Sequence, residues 1–191
     1  MKNLKGTETE QNLLKAFAGE SQARNRYTFF ADKAKEEGYE QIAELFLETA
    51  ENEKIHAEKF FSFLEGGPLE ITAMYPAGIV GTTAENLKEA AMGEREEHSE
   101  IYPHFAKVAK EEGFPEVAAA FNLVSKAEIE HEERYLKLLK NLQEEKVFKK
   151  EEKARWKCRA CGYVHEAQEA PNKCPLCSVE KAHFEIKETN Y

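Results

Sequence analysis

Four stretches of the chain place apolar residues at helical spacing, with polar residues between them. In two of these stretches the spacing is carried by Ile42, Leu45 and Phe46, and by Val117 and Phe121. Apolar positions three and four residues apart form one face of an amphipathic helix, which is buried by packing against other helices. The pattern predicts an all-α four-helix bundle, with helices at residues 7–37, 39–65, 82–112 and 115–146.

The two halves of this predicted bundle are copies of one another. The segment AKEEGYEQIAELF at 34–46 matches AKEEGFPEVAAAF at 109–121, an offset of 75 residues. The offset is 74 where AGE at 18–20 matches MGE at 92–94, and it returns to 75 at Tyr27 and Tyr102. The second copy therefore has one extra residue between Glu94 and Tyr102. A helix absorbs such an insertion as a π-bulge, so we predict a helical irregularity there.

Each predicted hairpin begins at a threonine and turns at a glycine. Thr7 and Thr82 stand three residues before a glutamate, which is the capping-box pattern that opens a helix. Gly38 and Gly113 follow the first helix of each copy, where a left-handed backbone favours glycine. The stretch between the halves, 66–81, is rich in Gly and Pro and far longer than a usual bundle connection. It predicts one long crossover between helices two and three, as in ferritin-like bundles.

Composition narrows the class of partner. The chain has 191 residues, of which 33% are charged and 41% hydrophobic, which is compatible with a folded core. Its net charge of −9 argues against a nucleic-acid partner, because phosphate binding needs a basic face. No apolar run is long enough to span a membrane, and the first ten residues lack the apolar region of a secretory signal. We therefore expect a cytoplasmic location and no membrane partner.

All four cysteines lie in the last 34 residues, in two Cys-x-x-Cys pairs: Cys158 and Cys161, Cys174 and Cys177. Four thiolates suit a tetrahedral zinc or iron ion, and the spacing does not choose between these metals. Since four thiolates complete the shell, His165 and His183 are not expected to be ligands. We predict a small β/knuckle domain that depends on its metal for folding. The domain plan is then a bundle at 1–146, a linker at 147–155 and the cysteine domain at 156–191.

A second candidate metal site comes from residues in register across the duplication. Two Glu-x-x-His motifs and one glutamate from each first helix make up the set: Glu53, His56, Glu128, His131, Glu20 and Glu94. This is the ligand pattern of dinuclear carboxylate bundles, in which hard iron or manganese ions require several carboxylates. A lone Glu-x-x-His is a weak signal, and we interpret Glu180 and His183 as a chance match. Any one of these glutamates alone would be assigned to a solvated face, but six residues in register favour a metal site.

Three further residues are weaker candidates. Tyr27 and Tyr102 occupy paired positions, and either could simply pack in the core or hydrogen-bond a ligand carboxylate. Glu97 follows Glu94 by three residues, so it is a possible seventh ligand on the same helix face, whereas the first half has Ala23 there. Spacing alone leaves Glu97 almost as compatible with a surface position. If it reaches the site, one metal has a choice between Glu97 and His56.

Over essentially its full length the chain resembles the rubrerythrin family. The resemblance rests on Glu20, Glu53-x-x-His56, Glu94-x-x-Glu97 and Glu128-x-x-His131, followed by the rubredoxin-like Cys158-x-x-Cys-Gly-Tyr and Cys174-Pro-x-Cys177. It implies a non-haem di-iron centre in the bundle and a mononuclear Fe(SCys)₄ centre in the tail. It also implies a peroxidase of oxidative-stress defence, reducing hydrogen peroxide to water with electrons from a reduced-nicotinamide-linked chain. The electron donor would be a redox protein, either a rubredoxin or a reductase.

The resemblance also assigns roles. Glu53 and Glu128 would bridge the irons, and Glu20 and Glu94 would be terminal ligands. His131 would ligate one iron. The other iron would exchange Glu97 for His56 on reduction, and Tyr27 and Tyr102 would hydrogen-bond ligand glutamates. These last four residues are the expected catalytic group. The family usually forms homodimers that bring the tail of one chain near the di-iron site of the other.

Two rival interpretations use only part of the sequence. A ferritin-like ferroxidase or iron-handling protein would explain the carboxylates but would leave the four cysteines without a role. A zinc ribbon that docks a partner would explain the cysteines but not the duplicated Glu and His set. The peroxidase hypothesis uses both sites.

Overall fold

The structure is a computed structural model, and it describes residues 3–188. Within that range the predicted ferritin-like bundle and the small cysteine-bearing domain are both present. Residues 1–2 and 189–191, which the predicted domain boundaries include, lie outside the described range. The helices are α1 Glu8–Glu36, α2 Glu40–Phe61, α3 Thr83–Glu96, α4 Tyr102–Glu111 and α5 Pro115–Gln143, with a π-helix at Glu97–Ile101 joining α3 to α4. The tail holds β1 Lys149–Cys158, β2 Val164–Glu169, a 3₁₀ turn at Lys181–His183 and β3 Phe184–Ile186.

The predicted helix ends are produced by local hydrogen bonding. Thr7 accepts a hydrogen bond from the backbone of Glu10, and Thr82 with Glu85 completes a capping box. Gly38 turns the chain with φ of 82°, a left-handed value that a side chain would strain, and Gly113 at the other hairpin has the same φ. The predicted irregularity is confirmed, because the π-helix begins three residues after Glu94.

Two predicted helices extend too far. The second ends at Phe61 rather than at 65, because the backbone tightens so that Phe63 and Leu64 pack against an apolar cluster around Leu4. The fourth ends at Gln143 rather than at 146. After Glu145, whose φ is 54°, the chain turns toward the cysteine domain. Apolar packing after Phe61 therefore ends α2 early, and the left-handed backbone of Glu145 accompanies the early end of α5.

The segment predicted as a linker, 147–155, is mostly strand. β1 begins at Lys149 and pairs antiparallel with both β2 and β3, giving the sheet order β2-β1-β3. The first half of β1 is charged and exposed, a pattern that is typical of a linker. The pairing of β1 with β2 is interrupted between Lys149 and Ala154. The strand becomes buried only at Trp156 and Cys158, inside the small core of the tail.

The crossover, residues 62–82, runs along the length of the bundle as predicted. It leaves α2 near Leu4, passes the middle of α1 where Tyr75 donates a hydrogen bond to the carbonyl of Lys15 at 2.7 Å, and ends where Thr83 donates to Glu37. Helices α2 and α3 therefore need not be antiparallel, which is the topology of a ferritin-like bundle.

Two apolar clusters occupy the bundle interior, one on each side of its acidic middle. The first surrounds Tyr27, Phe46 and Tyr135, and the second surrounds Phe60 and Phe121. Glu20 on α1 and Glu53 on α2 fall between residues of these two clusters. Packing above and below thus fixes the helices that carry the candidate metal ligands. None of the helices within residues 3–188 is long and apolar enough to cross a membrane.

Candidate metal centres

Four helices bring the predicted Glu and His residues together in the middle of the bundle. Two overlapping groups of possible ligands form there, each with its donor atoms within 4.8 Å of one another: Glu20, Glu53, His56 and Glu128, and Glu53, Glu94, Glu128 and His131. Glu53 and Glu128 belong to both groups. Two sites that share two carboxylates are the arrangement of a dinuclear centre with bridging ligands.

The histidines point their Nδ1 atoms into these groups. His56 Nδ1 lies 2.9 Å from a Glu53 oxygen and 3.0 Å from a Glu128 oxygen. His131 Nδ1 lies 2.8 Å from Glu128 and 3.3 Å from Glu53. On the other side of its ring, His131 Nε2 is 3.3 Å from Asn52 Oδ1. A hydrogen bond from Nε2 to Asn52 leaves Nδ1 as the atom with a free lone pair, as a metal ligand requires.

Within residues 3–188 the buried donor atoms have close partners only in one another, with the histidine nitrogens 2.8–3.3 Å from carboxylate oxygens. Two imidazole N–H groups cannot satisfy six carboxylate oxygens, which is the main reason to assign the group to metal ions. Within the described residues these atoms are both carboxylate oxygens of Glu53 and of Glu128, one oxygen each of Glu20 and Glu94, and Nδ1 of His56 and of His131. Leaving one buried polar group unsatisfied costs about 1–3 kcal/mol, and a charged group costs more. Eight converging atoms of this kind fit a pair of cations, and hard carboxylate with imidazole donors suits iron.

Without metal ions, burying so many carboxylates close together is electrostatically unfavourable for their charged forms. Burial, then the nearby charges of Glu128 and Glu97, raise the pKa of Glu20 well above its ordinary value. Burial and the charge of Glu53 raise the pKa of Glu94 to about 8. Burial lowers the pKa of His131, but hydrogen bonding to Glu128 and Glu53 outweighs it and raises that pKa to about 12. Without metal the site therefore retains protons that cations would replace.

Both predicted tyrosines contact the ligand glutamates, and each crosses from one half of the duplication to the other. The Tyr27 hydroxyl donates to Glu94 Oε1 at 2.5 Å, and the Tyr102 hydroxyl donates to Glu20 Oε1. Both side chains are fully buried. Each hydroxyl occupies one oxygen of its glutamate, and the other oxygen has no hydrogen-bond partner among the described residues. For Glu94 this second oxygen lies 3.8 Å from His131 Nδ1, whereas for Glu20 the oxygen near His56, at 3.9 Å, is the one that Tyr102 binds.

Glu97 is not part of either four-residue group. It is the first residue of the π-helix and is only half-buried, on the wall of a cavity that also touches Tyr102. Burial, then the charges of Glu94 and Glu128, raise the pKa of Glu97 well above its ordinary value, so it lies within electrostatic reach of the groups. In this structure His56, not Glu97, completes the first group of ligands.

The contacts that join α5 to α3 and to the π-helix beside the candidate metal site were not predicted from the sequence. Glu132, on α5, accepts hydrogen bonds from Arg95 on α3 and from His98, each at 2.6 Å. His98 is in the π-helix, and Glu132 follows His131. The pattern gave no signal for this contact, because the three residues resemble ordinary surface charges.

The four cysteines meet at the tip of the tail, where two knuckles face each other. Cys158 Sγ lies 3.8 Å from Cys177 Sγ, and Cys161 Sγ lies 3.6 Å from Cys174 Sγ. A tetrahedral ion with metal–sulfur bonds of about 2.3 Å would place its sulfurs about 3.8 Å apart, so the group fits one ion. Burial alone would raise the pKa of Cys174, but the backbone N–H groups of Cys177 and Leu176 outweigh it and lower that pKa to about 7.

His165 and His183 are not members of the four-cysteine group. The interpretation of Glu180 and His183 as a chance motif stays a prediction. His183 ends a 3₁₀ turn against the bundle, 3.9 Å from Glu40, and no metal group within residues 3–188 contains it.

Together, the duplicated carboxylate and histidine groups and the tetrathiolate tail define a ferritin-like protein with a site for a dinuclear metal centre and a rubredoxin-like domain. The family model described as Rubrerythrin matches residues 11–139, and the model described as Rubrerythrin, rubredoxin-like domain, matches residues 156–185. This chain belongs to the rubrerythrin family. Its two metal sites fit a di-iron centre and an Fe(SCys)₄ centre, and the family consists generally of oxidoreductases.

Individual relatives cover the whole chain. It is 60% identical to Rubrerythrin of Porphyromonas gingivalis over 190 residues, covering all of this chain and 95% of that protein. It is 51% identical to Rubrerythrin of Nitratidesulfovibrio vulgaris, with both chains fully covered. Among solved structures, nigerythrin in its mixed-valent state has a TM-score of 0.64 at 34% identity, covering 97% of this chain and 89% of nigerythrin.

Proposed function

We propose that this protein is a non-haem di-iron peroxidase that reduces hydrogen peroxide to water, with electrons relayed through its Fe(SCys)₄ domain. The observation that carries the proposal is the coexistence, in one chain, of two ligand groups that share Glu53 and Glu128 and of a separate tetrathiolate group. An iron-storage protein needs the first kind of site but has no use for the second.

The residues of the bundle would hold the iron pair in a defined geometry. Glu53 and Glu128 are proposed as bridging ligands, because they are the two residues common to both groups. When bound, two ferrous ions a few Å apart supply together the two electrons that reduce H₂O₂, with two protons, to two molecules of water. Tyr27 and Tyr102 restrain Glu94 and Glu20 through their hydroxyl hydrogen bonds.

Glu97 and His56 are proposed as alternative ligands of one iron. His56 already contacts Glu53 and Glu128, whereas Glu97 lies on the cavity wall. Because Glu97 begins a π-helix, its position along α3 and α4 depends on a local irregularity rather than on regular helical packing. Such segments are common at functional sites.

The four thiolates of the tail are proposed to hold the one-electron relay. Within one chain the tail rests against the start of α2, where Arg159 is 3.9 Å from Glu44. Glu44 precedes Glu53 by about 14 Å of helix, at about 1.5 Å per residue. The tail of a second copy would offer a more direct route, so we propose a homodimer or a higher homo-oligomer. Support comes from Phe29, Ile55 and Phe61 on α1 and α2, which are more than half exposed.

The test is optical and uses the iron-loaded, full-length protein. The protein is reduced without oxygen and mixed with one equivalent of hydrogen peroxide, and the visible absorption of the ferric thiolate centre is followed. The band should return, and it should do so faster than after mixing with dioxygen. Faster return with dioxygen would favour a ferroxidase, and no band in either redox state would mean that the tail does not hold iron.

A further inference from the structure

A cavity of about 390 Å³ opens beside the candidate di-iron centre. It lies between α1, the crossover and the π-helix, and its outer walls are mainly apolar, with Ala16, Met74, Ile101 and Phe105 among the residues that line it. The crossover is held over the cavity by Tyr75, through its hydrogen bond to α1. The cavity is partly enclosed and is large enough for a small organic molecule.

The inner wall of this cavity reaches the candidate metal centre through Tyr102. Glu97 and Tyr102 both line it. The Tyr102 hydroxyl, in turn, donates a hydrogen bond to Glu20, which belongs to the first ligand group. A molecule in the cavity would therefore place its polar end beside the ligands and its apolar part against the outer walls.

Two glycines preserve this volume. Gly19 and Gly93 lie inside α1 and α3, immediately before Glu20 and Glu94, and both line the cavity. A Cβ at Gly19 would meet Tyr75 at 3.7 Å, and one at Gly93 would meet Arg26 at 3.8 Å, which are ordinary contacts. Glycine inside a helix costs about 1 kcal/mol relative to alanine. Packing within the chain does not require either glycine, so their effect is to leave the cavity wide.

Hydrogen peroxide alone does not need so much space, because a water molecule occupies only about 30 Å³ in the liquid. We propose that the cavity binds small organic hydroperoxides and that the protein reduces them in addition to hydrogen peroxide. This inference rests on the peroxidase function proposed above. The reaction is ROOH + 2 e⁻ + 2 H⁺ → ROH + H₂O. The O–O bond breaks, the oxygen attached to carbon leaves in the alcohol, and the terminal oxygen leaves as water.

The substrate test compares cumene hydroperoxide with hydrogen peroxide on the iron-loaded protein. Wild type should reduce both. Gly93→Leu fills the cavity and should lower kcat/KM for cumene hydroperoxide at least tenfold more than kcat/KM for hydrogen peroxide. Gly78→Leu is the matched control, because Gly78 lies in the crossover outside the cavity and should leave the ratio of the two values unchanged.

A binding test does not depend on turnover. The full-length protein loaded with zinc, which is redox-inert, is titrated with the product alcohol, 2-phenyl-2-propanol, while the isoleucine methyl groups are followed by NMR. The methyls of Ile101, which is half-buried and lines the cavity, should shift and saturate. The methyls of Ile55, which is exposed on α2 outside the cavity, should not. Gly93→Leu should abolish the shift of Ile101.

The outcomes separate the two proposals. Turnover of hydrogen peroxide without turnover of cumene hydroperoxide would overturn this inference and leave the peroxidase proposal standing. An Ile101 shift that persists in Gly93→Leu would also overturn it, because the alcohol would then bind elsewhere. If the iron-loaded protein reduces neither peroxide, the peroxidase proposal itself fails, and this inference fails with it.

Discussion

Removing the metal ions should make the bundle less stable as the pH rises from 6.0 to 7.5. Burial and the charge of Glu53 raise the pKa of Glu94 from 4.5 to about 8. Burial lowers the pKa of His56, but hydrogen bonding to Glu128 and Glu53 outweighs it and raises that pKa from 6.5 to about 9. In both cases the folded, metal-free protein holds a proton that the unfolded chain has already begun to release.

The sign is the same for the two groups. The stability from protonated Glu94 is fully present below pH 4.5 and is lost as the pH rises through about 8. That from protonated His56 is fully present below pH 6.5 and is lost as the pH rises through about 9. Each contributes a loss of about 1.4 kcal/mol per pH unit within its window. Between pH 6.0 and 7.5 Glu94 therefore accounts for about 2 kcal/mol and His56 for about 1 kcal/mol.

Glu128 does not offset this loss. Burial raises its pKa, but hydrogen bonds to His131 and His56 outweigh burial, so the pKa lies below its ordinary value. The stabilisation that it provides is lost only as the pH falls through that lowered pKa, and it is fully present at pH 6.0 and above. Glu94 and His56 together therefore lower the free energy of unfolding by about 3 kcal/mol. His131, whose pKa is raised from 6.5 to about 12, adds about 1 kcal/mol, and the raised pKa values of Glu20 and Glu97 act in the same direction, so the expected net decrease is at least about 4 kcal/mol.

The assay is urea unfolding followed by far-ultraviolet circular dichroism, on chelator-stripped and metal-loaded protein at both pH values. The metal-loaded protein should show little change, because its ligands are already deprotonated and bound. In Glu94→Gln the stripped protein should lose about 2 kcal/mol less than wild type over this range, since the titration of Glu94 is gone. Equal stability of stripped wild type at pH 6.0 and 7.5 would refute the reasoning, as would the same decrease in the loaded protein.

Three further predictions concern single residues. Glu97→Ala should slow peroxide turnover at least tenfold while leaving the urea midpoint near that of wild type, and wild-type turnover would exclude a role as ligand. Cys161→Ser should abolish the ferric thiolate band while iron analysis still finds iron in the bundle, and loss of all iron would contradict independent sites. Glu112→Ala removes the acceptor for the backbone N–H and the hydroxyl of buried Thr9, at 2.8 and 2.6 Å. Glu112→Ala should therefore lower the free energy of unfolding by about 1–3 kcal/mol. The control, Glu111→Ala at an exposed position, should change it little. Equal effects of the two substitutions would refute a stabilising role for the contact between Glu112 and Thr9.

The bundle could be predicted because its signals are periodic and duplicated. Helical spacing, a threonine at the start and a glycine at the turn recur at an offset of 75, so each half supports the prediction for the other. The same comparison located the π-helix from one inserted residue. The first half of β1 could not be predicted in this way. Residues such as Lys149 and Lys153 face solvent, and their pairing is with strands that follow later in the chain.

The clustering of the six duplicated Glu and His residues could also be predicted, because helices hold them in register. The contacts that brace the set could not. Asn52 beside His131 joins residues 79 apart in the chain, and Glu112 beside Thr9 joins residues 103 apart. Neither pair has a spacing that distinguishes it from surface residues. Such contacts depend on how the helices pack in three dimensions, and helical periodicity carries no information about that packing.

The duplication also shows where the two halves of the protein differ. Glu37 accepts a hydrogen bond from Thr83, and Glu112, its counterpart at the offset of 75, accepts one from Thr9, so each half caps a helix of the other. The tyrosines cross between the halves in the same reciprocal way. The symmetry ends at Glu97, which has no acidic counterpart in α1 and at which the π-helix begins. The inserted residue and the added carboxylate lie at the same place, and the cavity opens on that side. A substrate that enters there would meet first the part of the centre in which the two halves differ.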